Sequence, residues 1–306
     1  MKIQTGNTQI QTPLVSREVA NLNLLLKTMR PKQWTKNLIV FAGIIFSQNI
    51  FVPGQLLMTF FAFLAFCILS GSVYIVNDII DIEKDRVHPI KKYRPLASGR
   101  LSASSAAGFV VITTALSLGG AFWLNRNFGF VALAYFLITL AYSFKLKNVV
   151  IIDVLTIAIG FILRAVAGSV VIRVSISPWL LVCTFLLALF LALTKRRHEL
   201  LLLEANAHSH RKILDEYGPL MLDQMISVVT SSTVMAYSLY TFTSGHSIYL
   251  MGTIPFVIYG IFRYQYLVHR QDIGGSPEVA LFRDLPMVVN ILLWVSSCSL
   301  ILYLFR

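Results

Sequence analysis

Asn77-Asp78-Ile79-Ile80-Asp81-Ile82-Glu83-Lys84-Asp85 is the stretch on which the reading of this chain turns. It follows residues 55–76, a run without a charged side chain, and places four carboxylates within nine residues. His88, Lys91, Lys92, Arg94 and Pro95 come directly after it. At helical spacing Asp78, Asp81 and Asp85 stand at i, i+3 and i+7 and share one face, with Asn77 in line with Asp81 and Asp85. Like charges stacked this way repel, so a fold accepts them only around something cationic. Hard oxygen donors with room for further ligands suit Mg2+, which takes one or two carboxylates plus phosphate oxygens. The alternative is a solvated acidic helix end at a membrane surface. Acidic runs keep clear of anionic headgroups, and here basic residues follow at once.

The rest of the chain sets the solvent in which this motif works. It has 306 residues, is 56% hydrophobic and 13% charged, and contains several apolar runs of membrane-spanning length. It therefore reads as an all-α polytopic membrane protein. A net charge of +12 raises nucleic acid as a partner. The cations, however, are confined to short segments between apolar runs, where topology determinants and anion ligands belong, so no nucleic-acid partner is expected. Cys67, Cys183 and Cys298 fall inside apolar runs without metal-ligand spacing and read as small buried hydrophobes. Residues 1–21 are polar and lack the apolar core of a cleavable signal, so they read as a disordered tail. Residues 22–306 read as one polytopic domain that opens with an interfacial amphipathic helix over 22–29.

Nine transmembrane helices are expected, near 38–53, 55–77, 103–124, 128–144, 149–172, 178–194, 222–243, 247–266 and 286–305. Charge tests that topology independently. With the N-terminus inside, the N-terminal segment carries six of the 26 Lys and Arg residues, and the regions closing spans two, four, six and eight carry six, two, five and three. Only Arg126, Arg173 and Arg306 remain for the opposite face, with Arg164 inside span five. The positive-inside rule puts the N-terminus in the cytoplasm of a bacterial-type plasma membrane. All fourteen acids fall on or near the same side, which argues for a cytoplasm-facing polar chamber.

Two further polar elements belong to that side. Tyr142-Ser143-Phe144-Lys145-Leu146-Lys147 ends span four, and Asp153 follows early in span five. Arg164 lies three helical turns beyond Asp153 on the same face, about 16 Å along the axis. Ionisable groups inside a span face the bundle interior or a wet cavity. Binding substrate and holding helices together are equally weighted roles for Arg164. The other element, Thr194-Lys195-Arg196-Arg197-His198-Glu199, closes span six and leads into a loop with Glu204, Arg211, Lys212, Asp215, Glu216 and Tyr217. Three adjacent cations also make a cytoplasmic stop signal. His198, His208 and His210 lack the ordered partners of a metal site.

The pattern Asn-Asp-x-x-Asp-x-x-x-Asp after the second of nine spans resembles the UbiA-type superfamily of intramembrane prenyltransferases. The resemblance implies a helical bundle with a cytoplasm-facing chamber and Mg2+-bound diphosphate, with Asp78, Asp81 and Asp85 as metal and catalytic ligands. Lys195-Arg196-Arg197-x-Glu199 stands where a typical member carries a second Asp-rich motif. Four tracts are similar to one branch of the family, the decaprenyl-phosphate phosphoribosyltransferases: Arg30 to Asn37, His88 to Pro95, Gly160 to Arg164 and Lys195 to Leu200. That branch implies phosphoribosyl diphosphate as donor and polyprenyl phosphate as acceptor, with diphosphate released. Lys36, Asn77, Lys91, Arg94, Tyr142, Lys145, Asp153, Arg164, Lys195 and Arg196 are then the candidates for contacting the substrates, Arg by bidentate contact and Lys as a point charge. The alternative within the family is transfer of an isoprenoid from its diphosphate to a small acceptor.

Overall fold

The computed structural model describes residues 14–204, 216–245, 247–270 and 283–304. Among them the chain is helical, with no strand: α1 Leu14–Thr28, α2 Ala42–Phe46, α3 Pro53–Ile80, α4 Ile82–Val87, α5 Ala103–Leu124, α6 Arg126–Phe144, α7 Ile152–Val171, α8 Pro178–Glu204, α9 Pro219–Thr243, α10 Ile254–Arg270 and α11 Leu285–Leu304. Short 3-10 segments over Pro31–Phe41, Lys91–Tyr93, Leu146–Asn148 and Ile248–Thr253 join them.

Local chemistry sets the boundaries. Pro53 and Pro219 sit in the first turns of α3 and α9, where a missing N–H costs nothing. The Ser102 hydroxyl accepts from the Ser105 N–H at the start of α5. Asn125 alone separates α5 from α6, and its side chain accepts from the N–H groups of Asn127 and Phe128, making a tight antiparallel hairpin.

Six of these helices, α3, α5, α6, α7, α8 and α11, are long and apolar enough to cross a membrane. The other three expected spans fall short by composition or length. The first is a 3-10 segment over Pro31–Phe41 followed by the five residues of α2, so it starts and ends earlier than its apolar run suggested. In α9 the apolar run is diluted by Ser227, Thr230, Ser231 and Thr233, and α10 has 17 residues with Arg263 among them. Two other boundaries also differ from expectation. Helix α1 begins at Leu14 rather than near residue 22. Helix α8 runs through Glu204, so Lys195–Glu199 lies on a helix and does not end one. His208 and His210, with Arg211, Lys212 and Asp215, lie outside the described residues.

Helix α7 is the axis of the bundle. Its N-terminal half packs against α8, placing Val154 and Ala158 in the apolar cluster that α8, α9 and α10 share, and its C-terminal half shares a second cluster, Ala167 and Val171 with Val40, Ile44, Phe66 and Phe128. The approach to the 3-10 segment is close: a Cβ on Gly168 would fall 1.8 Å from the Val40 carbonyl oxygen. That contact presses the segment bearing Arg30, Lys36 and Asn37 onto the centre of the bundle.

Candidate active site

The acidic motif straddles the junction of α3 and α4. Helical hydrogen bonding continues across it, with Asp81 N–H donating to the Asn77 carbonyl (3.0 Å) and Asp85 N–H to the Asp81 carbonyl (2.8 Å). Two pairs result. Asp78 and Asp85, one face apart by seven residues, are both buried and converge on one nitrogen: Arg94 Nη1 donates to Asp78 Oδ1 at 3.0 Å and to Asp85 Oδ2 at 2.5 Å. Arg30 Nη2 donates to the same Asp78 oxygen at 2.5 Å, while its guanidinium lies 5.0 Å from the Tyr74 ring centroid. Asn77 and Asp81 form the other pair around the buried Lys147, whose Nζ donates to Asn77 Oδ1 (3.2 Å) and to both Asp81 oxygens (3.0 and 2.8 Å).

The three aspartates therefore do not close on one point, and no group of three His, Cys, Asp or Glu side chains among the described residues can hold a metal by itself. The donor set nevertheless fits Mg2+ in its usual form. Two carboxylate oxygens already converge on a single cationic atom, and a hard ion completes its shell with phosphate oxygens and water.

A second network stands behind the first. Asp153, fully buried in the first turn of α7, accepts from Arg196 Nε through Oδ2 and from the Tyr217 hydroxyl through Oδ1, each at 2.7 Å. Arg196 also donates to Glu199 (2.5 Å) and to the Tyr142 hydroxyl (3.2 Å). Burial, and then the bond to Asp153, push the Tyr217 phenol well above its ordinary value, so it remains a donor. Three predicted substrate contacts, Tyr142, Asp153 and Arg196, are thus engaged with one another. Lys145 is exposed, and Lys91 sits in the 3-10 turn below His88, whose Nδ1 accepts from the Lys91 N–H at 3.2 Å.

A cavity of about 700 Å³ runs from this polar layer into the bundle. Arg30, Lys36, Asn77, Tyr142, Arg164 and Lys195 line it, and its deeper walls are apolar and aromatic, with Phe161, Trp179, Leu187, Phe256 and Trp294. Four cations and no carboxylate appear in the described lining. Arg164 is buried and donates to Asn37 Oδ1 (2.7 Å), the Tyr135 hydroxyl (2.7 Å) and the Gly160 carbonyl (3.0 Å), with its guanidinium 4.6 Å from the Tyr135 ring centroid. Its partners are neutral, so it contributes a full positive charge to the interior.

The sequence profile of the UbiA prenyltransferase family matches residues 37–284. The chain belongs to that family. It is 35% identical over 293 residues to the decaprenyl-phosphate phosphoribosyltransferase of Corynebacterium glutamicum, covering 92% of this chain and 87% of that one. It is 32% identical to the same-named enzyme of Mycobacterium tuberculosis, covering 93% and 96%. Among solved structures, a UbiA homologue from Archaeoglobus fulgidus bound to GPP and Mg2+ superposes with a TM-score of 0.71 at 20% identity, covering 92% of this chain and 100% of that one. An apo UbiA homologue from Aeropyrum pernix gives 0.66 at 16% identity, covering 90% and 97%. These structural likenesses establish the UbiA fold. The protein is an integral membrane transferase of the UbiA family.

Sequence reasoning passed over four residues of this UbiA site. Arg30 opens the Arg30 to Asn37 tract but is not among the expected substrate contacts; its left-handed backbone (φ 55°) turns the chain so that the side chain reaches Asp78. Lys145 is the expected contact, but the 3-10 turn over Leu146–Asn148 brings Lys147 inward instead. Asn37 and Tyr217 carry no charge and had no periodicity to mark them. Asn37 does close the Arg30 to Asn37 tract, and that resemblance is what marks it in the sequence.

Proposed function

We propose that the protein transfers the 5-phosphoribosyl group of phosphoribosyl diphosphate to a polyprenyl phosphate. The C1–O bond to diphosphate breaks, a C1–O bond to the acceptor phosphate forms, and diphosphate leaves. The observation that carries this reading is the chamber, in which four cations and no lining carboxylate continue into apolar space. That arrangement suits two phosphorylated substrates, one with a lipid tail. Similarity over nearly the whole chain to decaprenyl-phosphate phosphoribosyltransferases supports it.

In this reading the chain crosses the membrane nine times with its N-terminus and chamber mouth facing the cytoplasm. Mg2+ held by Asp78 and Asp85, with Asp81 beside them, would neutralise charge on the departing diphosphate. Arg94 and Arg30, already hydrogen-bonded to those carboxylates, would turn to phosphate oxygens as the donor enters. Lys36 and Lys195 supply point charges for the 5-phosphate and the acceptor phosphate, and Lys91 and Lys145 stand outside as an entry patch. The acceptor is an anionic nucleophile, so no general base is needed. Catalysis then consists of positioning and charge stabilisation around an oxocarbenium-like ribosyl carbon.

The test is direct. Purified protein in detergent is incubated with Mg2+, labelled phosphoribosyl diphosphate and a polyprenyl phosphate, and label is expected in the organic phase. No such transfer, with transfer from an isoprenoid diphosphate to a small acceptor instead, would overturn the assignment.

A further inference from the structure

Ile151 has φ 68° and ψ −44°, and the Ile152 N–H bonds to the Val150 carbonyl at 2.8 Å. This is a classic γ-turn, a rare and strained conformation, here centred on a β-branched residue. Strain of this kind persists only where the surroundings hold it, and it costs on the order of 1–3 kcal/mol. The turn lies four residues beyond Lys147 and two before Asp153, between the lysine that grips the acidic motif and the helix that carries the buried carboxylate. One side chain touches both ends of the problem. The Tyr217 hydroxyl accepts from the Ile151 N–H at 2.7 Å and donates to Asp153 Oδ1 at 2.7 Å. Arg196 closes the other oxygen of Asp153. The Tyr217 ring is fully buried in the core with Val154, Leu200 and Leu222.

We infer that Tyr217 is a positioning residue whose hydroxyl holds the Ile151 turn and thereby fixes Lys147 against Asp81 and Asn77. It does not itself line the chamber, and it acts from the segment preceding α9. Without its hydroxyl the Ile151 N–H loses that acceptor and Asp153 loses one of its two side-chain donors. The turn then has a reason to relax to an ordinary conformation, carrying the Leu146–Asn148 segment and Lys147 with it. The inference that this alters catalysis rests on the reading of the acidic motif as the donor site. The inference about Lys147 itself does not.

Three measurements separate those layers. In Tyr217→Phe, which keeps the ring in the core, the Lys147 amine is footprinted with an amine-acylating reagent and read by mass spectrometry, with exposed Lys145 as internal reference. Lys147 labelling is expected to rise about fivefold or more relative to Lys145 in the wild type. Unchanged labelling overturns the proposal whatever the substrate. A wild-type control needs no variant: the Ile151 amide should exchange slowly with deuterium, and fast exchange would equally overturn it, even if Tyr217→Phe failed to fold. In the transfer assay Tyr217→Phe should lower kcat/KM about tenfold, yet have no further effect in a Lys147→Ala background, whereas a merely structural role would multiply the two losses. Raised labelling in a protein that transfers no phosphoribosyl group would uphold the positioning role and remove only the substrate assignment.

Discussion

Gly168→Ala should disable this protein through a single methyl group far from the acidic motif. The added Cβ would lie 1.8 Å from the Val40 carbonyl oxygen, 2.7 Å from its carbon and 3.1 Å from its Cα. Carbons do not approach such atoms closer than about 3.0 Å, so α7 and the Pro31–Phe41 segment must separate by about 1.2 Å. The obstacle is backbone and cannot rotate away. Overpacking of this kind costs about 1–3 kcal/mol, but the larger effect is on function. The displaced segment carries Arg30 onto Asp78, presents Lys36 to the chamber and is pinned by the 2.7 Å bond from Arg164 to Asn37. A misplacement of about 1 Å in positioning groups costs on the order of a hundredfold in rate. The expected outcome is therefore a fall in kcat/KM of about two orders of magnitude with a modest drop in melting temperature. Two controls calibrate it. Gly108→Ala, on α5 with open space around it, should be neutral or slightly stabilising, since Ala favours a helix over Gly by about 0.5–1 kcal/mol. Gly160→Ala, whose Cβ would meet the Arg164 guanidinium at 3.5 Å, an ordinary contact distance, should likewise stay near native. Near-native transfer and melting in Gly168→Ala would refute the argument that this close contact sets the site.

Chelation with EDTA in metal-free buffer should abolish transfer, and Asp85→Asn should lower it by several orders of magnitude in protein that still purifies folded; retained turnover in either case would remove the metal role. An impermeant thiol reagent applied to intact cells should label a cysteine at Trp123, which is highly exposed beside the α5–α6 turn, and spare one at Lys92; the reverse pattern would invert the topology. Lys195→Ala should raise KM for the donor tenfold or more with little loss of stability, whereas Arg196→Ala strips a buried partner from Asp153 and should destabilise the fold by about 3–5 kcal/mol; equal melting temperatures for the two would show that the α8 cations are not divided in this way.

Much of this was readable from the chain because it rests on periodicity and charge. The bundle and its α3, α5, α6, α7, α8 and α11 spans follow from 3.6-residue geometry, which also sets Asp78, Asp81 and Asp85 on one face; that they divide into two pairs, Asp78 with Asp85 on Arg94 and Asp81 with Asn77 on Lys147, does not follow from it. Arg164 was legible as a buried cation because a charge in an apolar run must face something. The rest depended on backbone turns that leave no such trace. The choice of Lys147 over Lys145 is made by one 3-10 turn and the γ-turn after it, and Arg30 arrives through a left-handed residue before a proline. The engagement of Asp153 with Arg196 and Tyr217 spans more than forty residues, a distance over which no local pattern speaks.

The guanidinium shared by Asp78 and Asp85 has a consequence for how ions compete at the membrane face. Arg94 is tethered nine residues from Asp85, so the chain connecting them holds it at the carboxylates at a high effective concentration. A bare divalent cation must displace this built-in competitor and strand its charge. A cation arriving already chelated by a diphosphate brings the anion that Arg94 can turn to, and the exchange is then nearly neutral in charge. The resting protein is thus a poor sponge for free Mg2+, and metal and donor are expected to saturate it together, with a joint rather than independent dependence on their concentrations.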